Sequence, residues 1–199
     1  MLPSRDSDSR HAQRLTRHNA GPSFPSYREV HVESISRAIA AASDHLTEHP
    51  EAGSGTDTAA KAVRVEGLRF RVEGPKGEVI TDMSKTVGGG ATAPTPGWLL
   101  RAALASCDAT AVAMEAARKG VELTDLTVTV ESESDFRGAL GVDDSVHPGP
   151  SAVRVRIQLA GANATEAQLR EIVQRAESRS PVHDAVVREI SMTTEIVTG

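Results

Sequence analysis

Residues 97–119 are the feature that most limits how this chain of 199 residues can fold. The segment is rich in alanine and leucine, and its charged residues are Arg101, Asp108, Glu115, Arg118 and Lys119. A helix that is apolar around most of its circumference has to be covered on most sides. The pattern therefore predicts a central helix, closed by Gly120 as its C-terminal cap, with the rest of a domain packed around it.

Alternation of apolar and polar residues predicts strands on both sides of this helix. Before it, a change of phase at Gly67 indicates a bulge or bend within one strand, and a short second strand follows at 78–82. After it come strands at about 125–134 and 152–160, and a last strand at about 188–197. The residues expected to face inward are Leu126, Val128, Val130, Val153, Val155, Ile157 and Leu159. In the last strand, Ile190, Met192 and Ile196 are expected to share one face.

Helix-start signals predict what lies between the later strands. Thr165 and Gln168 fit a capping box, and Ser180-Pro181 indicates a kink or a new short helix. Segment 135–150 contains five Gly or Pro residues and is predicted to be a long loop. The resulting order is ββ-α-ββ-α-β, which favours an α+β domain with a mainly antiparallel sheet.

The chain divides into four segments by composition. Residues 1–27 are polar and are interpreted as a disordered tail. Residues 28–50 carry an apolar stripe at helical spacing and are predicted to form an extra helix that ends at Pro50. Residues 51–61 are small and polar, as is typical of a linker. The folded domain is expected to span residues 62–199.

Charge and cysteine content exclude several classes of function. The net charge of −5 provides no basic surface for nucleic acid, which we do not expect as a partner. No apolar run is long enough to span a bilayer, so no membrane partner is expected. Cys107 is the single cysteine, so no intrachain disulfide can form, and a lone thiol favours a reducing, cytoplasmic setting.

Two motifs carry possible metal or thiol chemistry. On spacing alone, Cys107 has the pattern of a buried, inert, small hydrophobic residue of the central helix. His45, Glu48 and His49 match a zinc-peptidase pattern, H-x-x-E-H, but they lie on the last helical turn before Pro50. No third ligand is evident, and we therefore expect no metal.

Two further motifs are weaker. Ser180, His183 and Asp184 lie close together in sequence, yet no strand-to-helix elbow surrounds the serine, which fits better as a helix N-cap. Three glycines at 88–90 are not followed by the Lys-Ser/Thr of a phosphate-binding loop. Neither motif predicts a hydrolase or a nucleotide site, and no cofactor is expected.

Two segments resemble a known family. The run Pro96-Gly97-Trp98-Leu99-Leu100-Arg101-Ala102-Ala103-Leu104-Ala105-Ser106-Cys107 resembles the segment in which the OsmC/Ohr family opens its central helix and presents its reactive cysteine. Ser180-Pro181-Val182 resembles the Cys-Pro-Val or Cys-Pro-Tyr motif that carries the second cysteine of that family. Residues 132–141 are similar to a less characterised branch of OsmC-like proteins. The likeness extends over about 62–197.

The resemblance implies a fold and a chemistry. The fold is an intertwined homodimer in which two sheets wrap around paired central helices and two sites lie at the subunit interface. The chemistry is that of a peroxidase of the oxidative stress response, an oxidoreductase with peroxiredoxin-like activity. A thiolate attacks the O–O bond of an organic hydroperoxide, becomes a sulfenic acid, and closes a disulfide with the second cysteine. A dithiol such as lipoyl then restores it.

The resemblance also assigns residues, and it marks two departures. Cys107 takes the place of the attacking cysteine, and Arg69 or Arg71 takes that of the arginine that stabilises its thiolate, with Arg137 a third candidate. The family's glutamate that holds this arginine is replaced by Gly97. The second cysteine is replaced by Ser180, whose hydroxyl cannot resolve a sulfenic acid.

Three functions follow from these residues. The first is a one-cysteine reductase of small organic hydroperoxides in which an external thiol reductant resolves Cys107. The second is a non-catalytic relative that binds a small hydrophobic or acyl ligand in the same interface pocket. The third is a dimeric scaffold.

Overall fold

A computed structural model describes residues 32–199. The predicted tail at 1–27 and the first residues of the predicted helix at 28–50 lie outside the described residues. In chain order the elements are α1 (Val32–Glu48), β1 (Lys61–Glu66), β2 (Arg69–Gly74), β3 (Gly77–Thr81), α2 (Pro96–Arg118), β4 (Leu123–Ser134), α3 (Phe136–Ala139), β5 (Pro150–Gly161), α4 (Glu166–Glu177) and α5 (Pro181–Val187), with single 3-10 turns at Pro50–Gly53 and Lys85–Val87. None of the described helices has both the length and the apolar character that crossing a bilayer requires.

The central helix is present as α2. The Thr95 hydroxyl caps its start by accepting a hydrogen bond from the Trp98 backbone N–H at 3.2 Å, and Pro96 occupies the first turn. Gly120 follows its end with a φ of +65°, the left-handed conformation that the C-terminal cap requires. Its main packing partners are α1, β4, α4 and α5.

Three strands, instead of the predicted two, precede α2. The chain reverses at Gly67, whose φ of +50° suits a tight turn, so that β1 and β2 form an antiparallel hairpin. Pairing is irregular between Arg64 and Glu66, beside the turn. The prediction of one bent strand was therefore wrong: the change of phase marks a reversal of the chain. With β3 added beside β2, the result is a three-stranded antiparallel sheet.

A long hairpin of β4 and β5 covers one side of α2. Its inner face carries the alternating residues predicted from sequence, and Leu126, Ile157 and Leu159 pack against the buried core. Val153 lies on the same face of β5, near the loop that joins the two strands, and it remains 37% exposed. Antiparallel strands in two sheets together with helices confirm the α+β class.

The central core joins α2 to α4. Ile172 of α4 lies among small and branched side chains and is 2% exposed. The buried members of this cluster are Val112, Ala116, Val121, Ile172 and Ala176. The capping box of Thr165 and Gln168 is present at the start of α4. The Ser180-Pro181 signal begins a separate helix, α5, and the predicted loop at 135–150 contains the short helix α3.

The C-terminal segment departs from the prediction. Residues 189–199 form no helix or strand, so the strand predicted at 188–197 is absent from the single chain. Ile190, Met192 and Ile196, which were expected to share one face of that strand, are 52%, 88% and 82% exposed. A strand needs neighbouring backbone N–H and C=O groups, and this segment has no strand partner within the described part of the chain.

Asp82 organises the loop between β3 and α2. Its buried carboxylate accepts hydrogen bonds from the backbone N–H groups of Met83, Gly90 and Thr92 and from the Thr92 hydroxyl, at 2.7–3.2 Å. A side chain at Gly89 would collide with the Met83 carbonyl. Close packing against Met83 and Asp82 explains Gly89 and Gly90, and a left-handed φ of +87° explains Gly88, with no need for a phosphate ligand.

Candidate functional site: the Cys107 cavity

Cys107 lies half-buried on α2 and lines a cavity of about 400 Å³. This volume falls within the range of small-molecule sites. The cavity lies between α2 and the junction of α4 with α5. Its lining residues are Cys107, Thr110, Ala111, Met114, Glu115, Arg118, Ala176, Arg179 and Pro181.

Charged groups of the cavity wall gather at the C-terminal end of α2. The Glu115 side chain is 4% exposed, and both of its carboxylate oxygens accept hydrogen bonds from Nη1 of Arg179, at 2.6 and 2.7 Å. Nη1 of Arg118 lies 3.7 Å from the same carboxylate. A buried carboxylate requires positively charged or hydrogen-bonding partners, which the two arginines provide. Since Arg179 lies between α4 and α5, its pairing with Glu115 links that segment to α2.

A second buried carboxylate lies next to the thiol in sequence. Asp108 is 1% exposed, and its Oδ2 lies 3.3 Å from Nδ1 of His183 on α5. Its Oδ1 has no hydrogen-bond partner among the described residues. The pair connects α2 to α5 at the residue that follows Cys107 in the helix.

Ser180 occupies the start of α5. Its side chain is 1% exposed, and its hydroxyl accepts a hydrogen bond from the His183 backbone N–H at 3.4 Å. Pro181, the next residue, lines the cavity, whereas Ser180 does not. The predicted N-cap role of Ser180 is confirmed.

Gly97 lies in the first turn of α2. A Cβ at this position would meet nothing closer than 4.0 Å. Helical packing in this chain therefore leaves room for a side chain there. The backbone therefore does not require glycine at the position where the resemblance described above implies a glutamate.

The three candidate arginines lie away from the cavity in this chain. Arg69 and Arg71 are on β2, and the guanidinium of Arg71 pairs with Glu73 at 2.8 Å and with Glu78 at 3.6 Å. Arg137 is held by Asp135 at 2.6 Å and by Asp143 at 3.5 Å. Whether one of them faces Cys107 from a second copy stays a prediction.

Sequence reasoning missed the arginines that do line the cavity. In the sequence, Arg118 is only one of several charges at the end of the helix. Arg179 lies 64 residues beyond Glu115, with which it pairs. One signal was present: Glu115 interrupts an otherwise apolar stretch of α2. A charged residue inside such a stretch calls for a partner, although sequence does not name it.

The other motifs do not assemble into sites. Among the described residues no group of three or more potential metal ligands occurs, although the rings of His45 and His49 lie 4.8 Å apart. The carboxylate of Asp184 pairs with Arg188 at 2.8 Å, while the imidazole of His183 faces Asp108. Ser180, His183 and Asp184 therefore form no catalytic triad.

Comparisons with known proteins agree on one fold. A family described as OsmC-like protein matches residues 88–195. No curated protein matches the chain. Three solved structures illustrate the likeness. An OsmC-like protein from Mycoplasma pneumoniae is 17% identical, with a TM-score of 0.56 over 67% of this chain and 89% of that one.

The other two are similarly distant. An OsmC-like protein of unknown function from Vibrio cholerae is 14% identical, with a TM-score of 0.56 over 68% of this chain and 96% of that one. An organic hydroperoxide resistance protein from Elizabethkingia anophelis is 16% identical, with a TM-score of 0.51 over 67% of this chain and 90% of that one. Identities this low establish the shared fold and leave activity to the chemistry of the site.

Proposed function

Because the chain belongs to the family of OsmC-like proteins, we propose that it reduces organic hydroperoxides at Cys107 and that an external thiol restores the cysteine. The observation that supports this most is the setting of Cys107, which lies half-buried in the wall of a cavity. A reactive thiol needs both access and a defined environment. A lone reduced thiol also suits the cytoplasm.

The reaction balances with one cysteine. The Cys107 thiolate attacks one oxygen of ROOH, the O–O bond breaks, and the protein keeps a sulfenic acid while RO⁻ takes a proton and leaves as ROH. A first external thiol then condenses with the sulfenic acid to form a mixed disulfide and water. A second thiol releases Cys107 and leaves as the oxidised disulfide. Ser180 takes no part in these steps, because a hydroxyl forms no disulfide.

The active form in this proposal is a homodimer, in which a second copy supplies what the single chain lacks. An apolar stripe of α2 is open to solvent, with Leu100 45% and Met114 40% exposed, and Ala103 and Cys107 lie along it. The three-stranded sheet also makes its main contacts among its own strands. Exposed apolar stripes of this kind are typical of interfaces between subunits. The dimer would also allow Arg69 or Arg71 of the second copy to approach the thiolate.

Placing a charge on this stripe is expected to separate the subunits. The wild-type protein should have about twice the 21.0 kDa mass of the chain, and Leu100→Glu should have the mass of one chain, since burying an unpaired carboxylate at an interface costs several kcal/mol. Light scattering coupled to size-exclusion chromatography measures both. Val142→Glu, in the exposed loop before β5, is the matched control and should remain dimeric. A monomeric wild type would contradict the proposal.

Formation of a sulfenic acid tests the chemistry. Reduced protein mixed with tert-butyl hydroperoxide in a stopped-flow instrument should react at least about a hundredfold faster than free cysteine, which corresponds to a barrier lower by about 2.7 kcal/mol. Dimedone should label Cys107, and Cys107→Ser should remove both the reaction and the label. Ser106→Ala changes the neighbouring hydroxyl and should leave the rate unchanged.

The second candidate function is binding without catalysis. It is favoured by the buried N-cap serine at 180 and by Gly97, which together remove the family's resolving thiol and its arginine-holding glutamate. In that case the cavity would hold a small hydrophobic or acyl ligand. A hydroperoxide rate equal to that of free cysteine would reject the peroxidase and support this binding role.

A further inference from the structure

A buried carboxylate follows the thiol directly in α2. Asp108 is 1% exposed, and its Oδ1 has no hydrogen-bond partner among residues 32–199. Its Oδ2 lies 3.3 Å from Nδ1 of His183, which is its only ion pair in this part of the chain. A buried carboxylate with so few partners is costly unless its charge is compensated. The charge state of His183 therefore decides whether a negative charge remains uncompensated beside Cys107.

The first turn of α5 fixes where His183 lies. The Ser180 hydroxyl accepts a hydrogen bond from the His183 backbone N–H at 3.4 Å, and Ser180 is itself 1% exposed. The side chain of His183 is only 24% exposed, so the imidazole is enclosed on most sides. The N-cap at Ser180 thus holds the imidazole against Asp108.

The other charged groups on the elements that pack against α2 are exposed or have different partners. The ionisable side chains of α1 and β4 are exposed. Glu177, at the end of α4, is half-buried and forms no ion pair among residues 32–199. The remaining interactions are those of Arg101 with Ser132, Glu115 with Arg118 and Arg179, Glu171 with Lys119 and Arg175, Glu166 with Arg170, and Asp184 with Arg188. None of these pairs includes Asp108, so His183 is its sole counter-ion among the described residues.

Asp108 is close enough to Cys107 for its charge to affect the thiol. Neighbouring Cα atoms lie about 3.8 Å apart and both side chains are short, so the carboxylate and the sulfur are at most about 10 Å apart. At an effective dielectric constant of about 20, one uncompensated unit charge at this distance changes the ratio of thiolate to thiol by at least about tenfold. Salt screens buried charges only weakly. A lone Asp108 carboxylate would therefore oppose ionisation of Cys107.

We propose that His183 is a positioning residue for the chemistry of Cys107: its imidazolium neutralises Asp108, and the neighbouring thiol then loses its proton more readily. His183 acts through Asp108 and makes no contact with a substrate. For hydroperoxide reduction this inference rests on the proposed function, because that reaction begins with the thiolate. The link among the three side chains concerns ionisation alone, and it holds whether or not a hydroperoxide reacts.

Alkylation of Cys107 by iodoacetamide tests this link without any hydroperoxide. Its rate follows the thiolate fraction, and the loss of free thiol reports on Cys107 alone because the chain has one cysteine. At pH 7, His183→Gln should slow alkylation about tenfold and displace its pH profile by about one unit to higher pH. Adding Asp108→Asn should restore the rate to within about twofold of wild type, since the opposing charge is gone. His147→Gln, in the exposed loop before β5, is the matched control and should leave the rate and the profile unchanged.

A role confined to holding α5 on α2 would give a different pattern. A wild-type pH profile in folded His183→Gln, or a double variant as slow as the single one, would overturn the proposal. His183→Lys is the second variant, because it keeps a positive charge opposite Asp108; it should alkylate within about twofold of wild type, and a slow, folded lysine variant would also overturn the proposal. Circular dichroism establishes that each variant is folded. A hydroperoxide rate equal to that of free cysteine, together with the expected alkylation pattern, would reject the peroxidase and leave the link between His183 and Cys107 standing.

Discussion

Replacing Ile172 with alanine is expected to lower the free energy of unfolding by about 2–5 kcal/mol. Ile172 is 2% exposed and joins α4 to α2 through contacts in the central cluster. Two of its neighbours, Ala116 and Ala176, are alanines fixed on helices and cannot move in to fill the space. A cavity would remain, and its cost adds to the lost burial of the side chain. Since whole domains are stable by only about 5–15 kcal/mol, the loss would be a large fraction of the total.

Urea unfolding followed by circular dichroism measures this effect. Wild type and variant are compared at one protein concentration, because dimerisation would make stability depend on it. Val142→Ala removes aliphatic atoms from a residue that is 69% exposed and should change the unfolding free energy by less than about 0.5 kcal/mol. A change below about 1 kcal/mol for Ile172→Ala would mean that the cluster is not the tightly packed core described above.

Acid sensitivity that originates at Asp82 is the second large effect expected. Hydrogen bonds, first of all from the Thr92 backbone N–H, lower the pKa of Asp82 from 3.8 to about 2. Folding therefore favours the carboxylate form. Its contribution is complete above the unfolded-state pKa of about 3.9 and is lost as the pH falls from about 4 to about 2. Asp135 adds to the same window, because hydrogen bonds from Arg137 lower its pKa to about 2 as well.

Asp82→Asn should separate the contribution of Asp82 to the acid sensitivity from that of Asp135. The amide N–H₂ would face the N–H and O–H donors of Thr92, so the melting temperature at pH 7 should fall by several degrees. The loss of melting temperature between pH 5 and pH 2 should become smaller, with Asp135 supplying what remains. Asp57→Asn, in the exposed segment before β1, should reproduce the wild-type curve. An acid profile of Asp82→Asn that matched wild type would contradict the assigned role of Asp82.

Features set by local sequence could be predicted, and those that depend on distant partners could not. The central helix followed from its apolar run and from Gly120, and α4 followed from its capping box. The hairpin at Gly67 was missed because a single glycine is equally compatible with a bulge and with a turn. The strand predicted from the C-terminal alternation was wrong for the single chain, because such a pattern cannot show whether a pairing strand exists in the same chain.

In the candidate site, too, the features set by local sequence could be predicted and those that depend on distant residues could not. Cys107 was found through its motif, and the N-cap role of Ser180 followed from the proline after it. The link between Glu115 and Arg179 crosses 64 residues and arises only when α4 packs on α2. Cavity shape and net charge are properties of that packing. They therefore became visible only with the fold.

The loop between β3 and α2 is tied together at its base. The Asp82 backbone N–H donates to the Pro94 carbonyl at 3.1 Å, and Thr95 then caps α2. Residues 82–94 therefore form a loop whose two ends are joined by this hydrogen bond. The entropy cost of enlarging such a ring grows only with the logarithm of its length. Evolution can therefore lengthen the turn at Lys85–Val87 while the spacing between the sheet and the thiol-bearing helix stays constant.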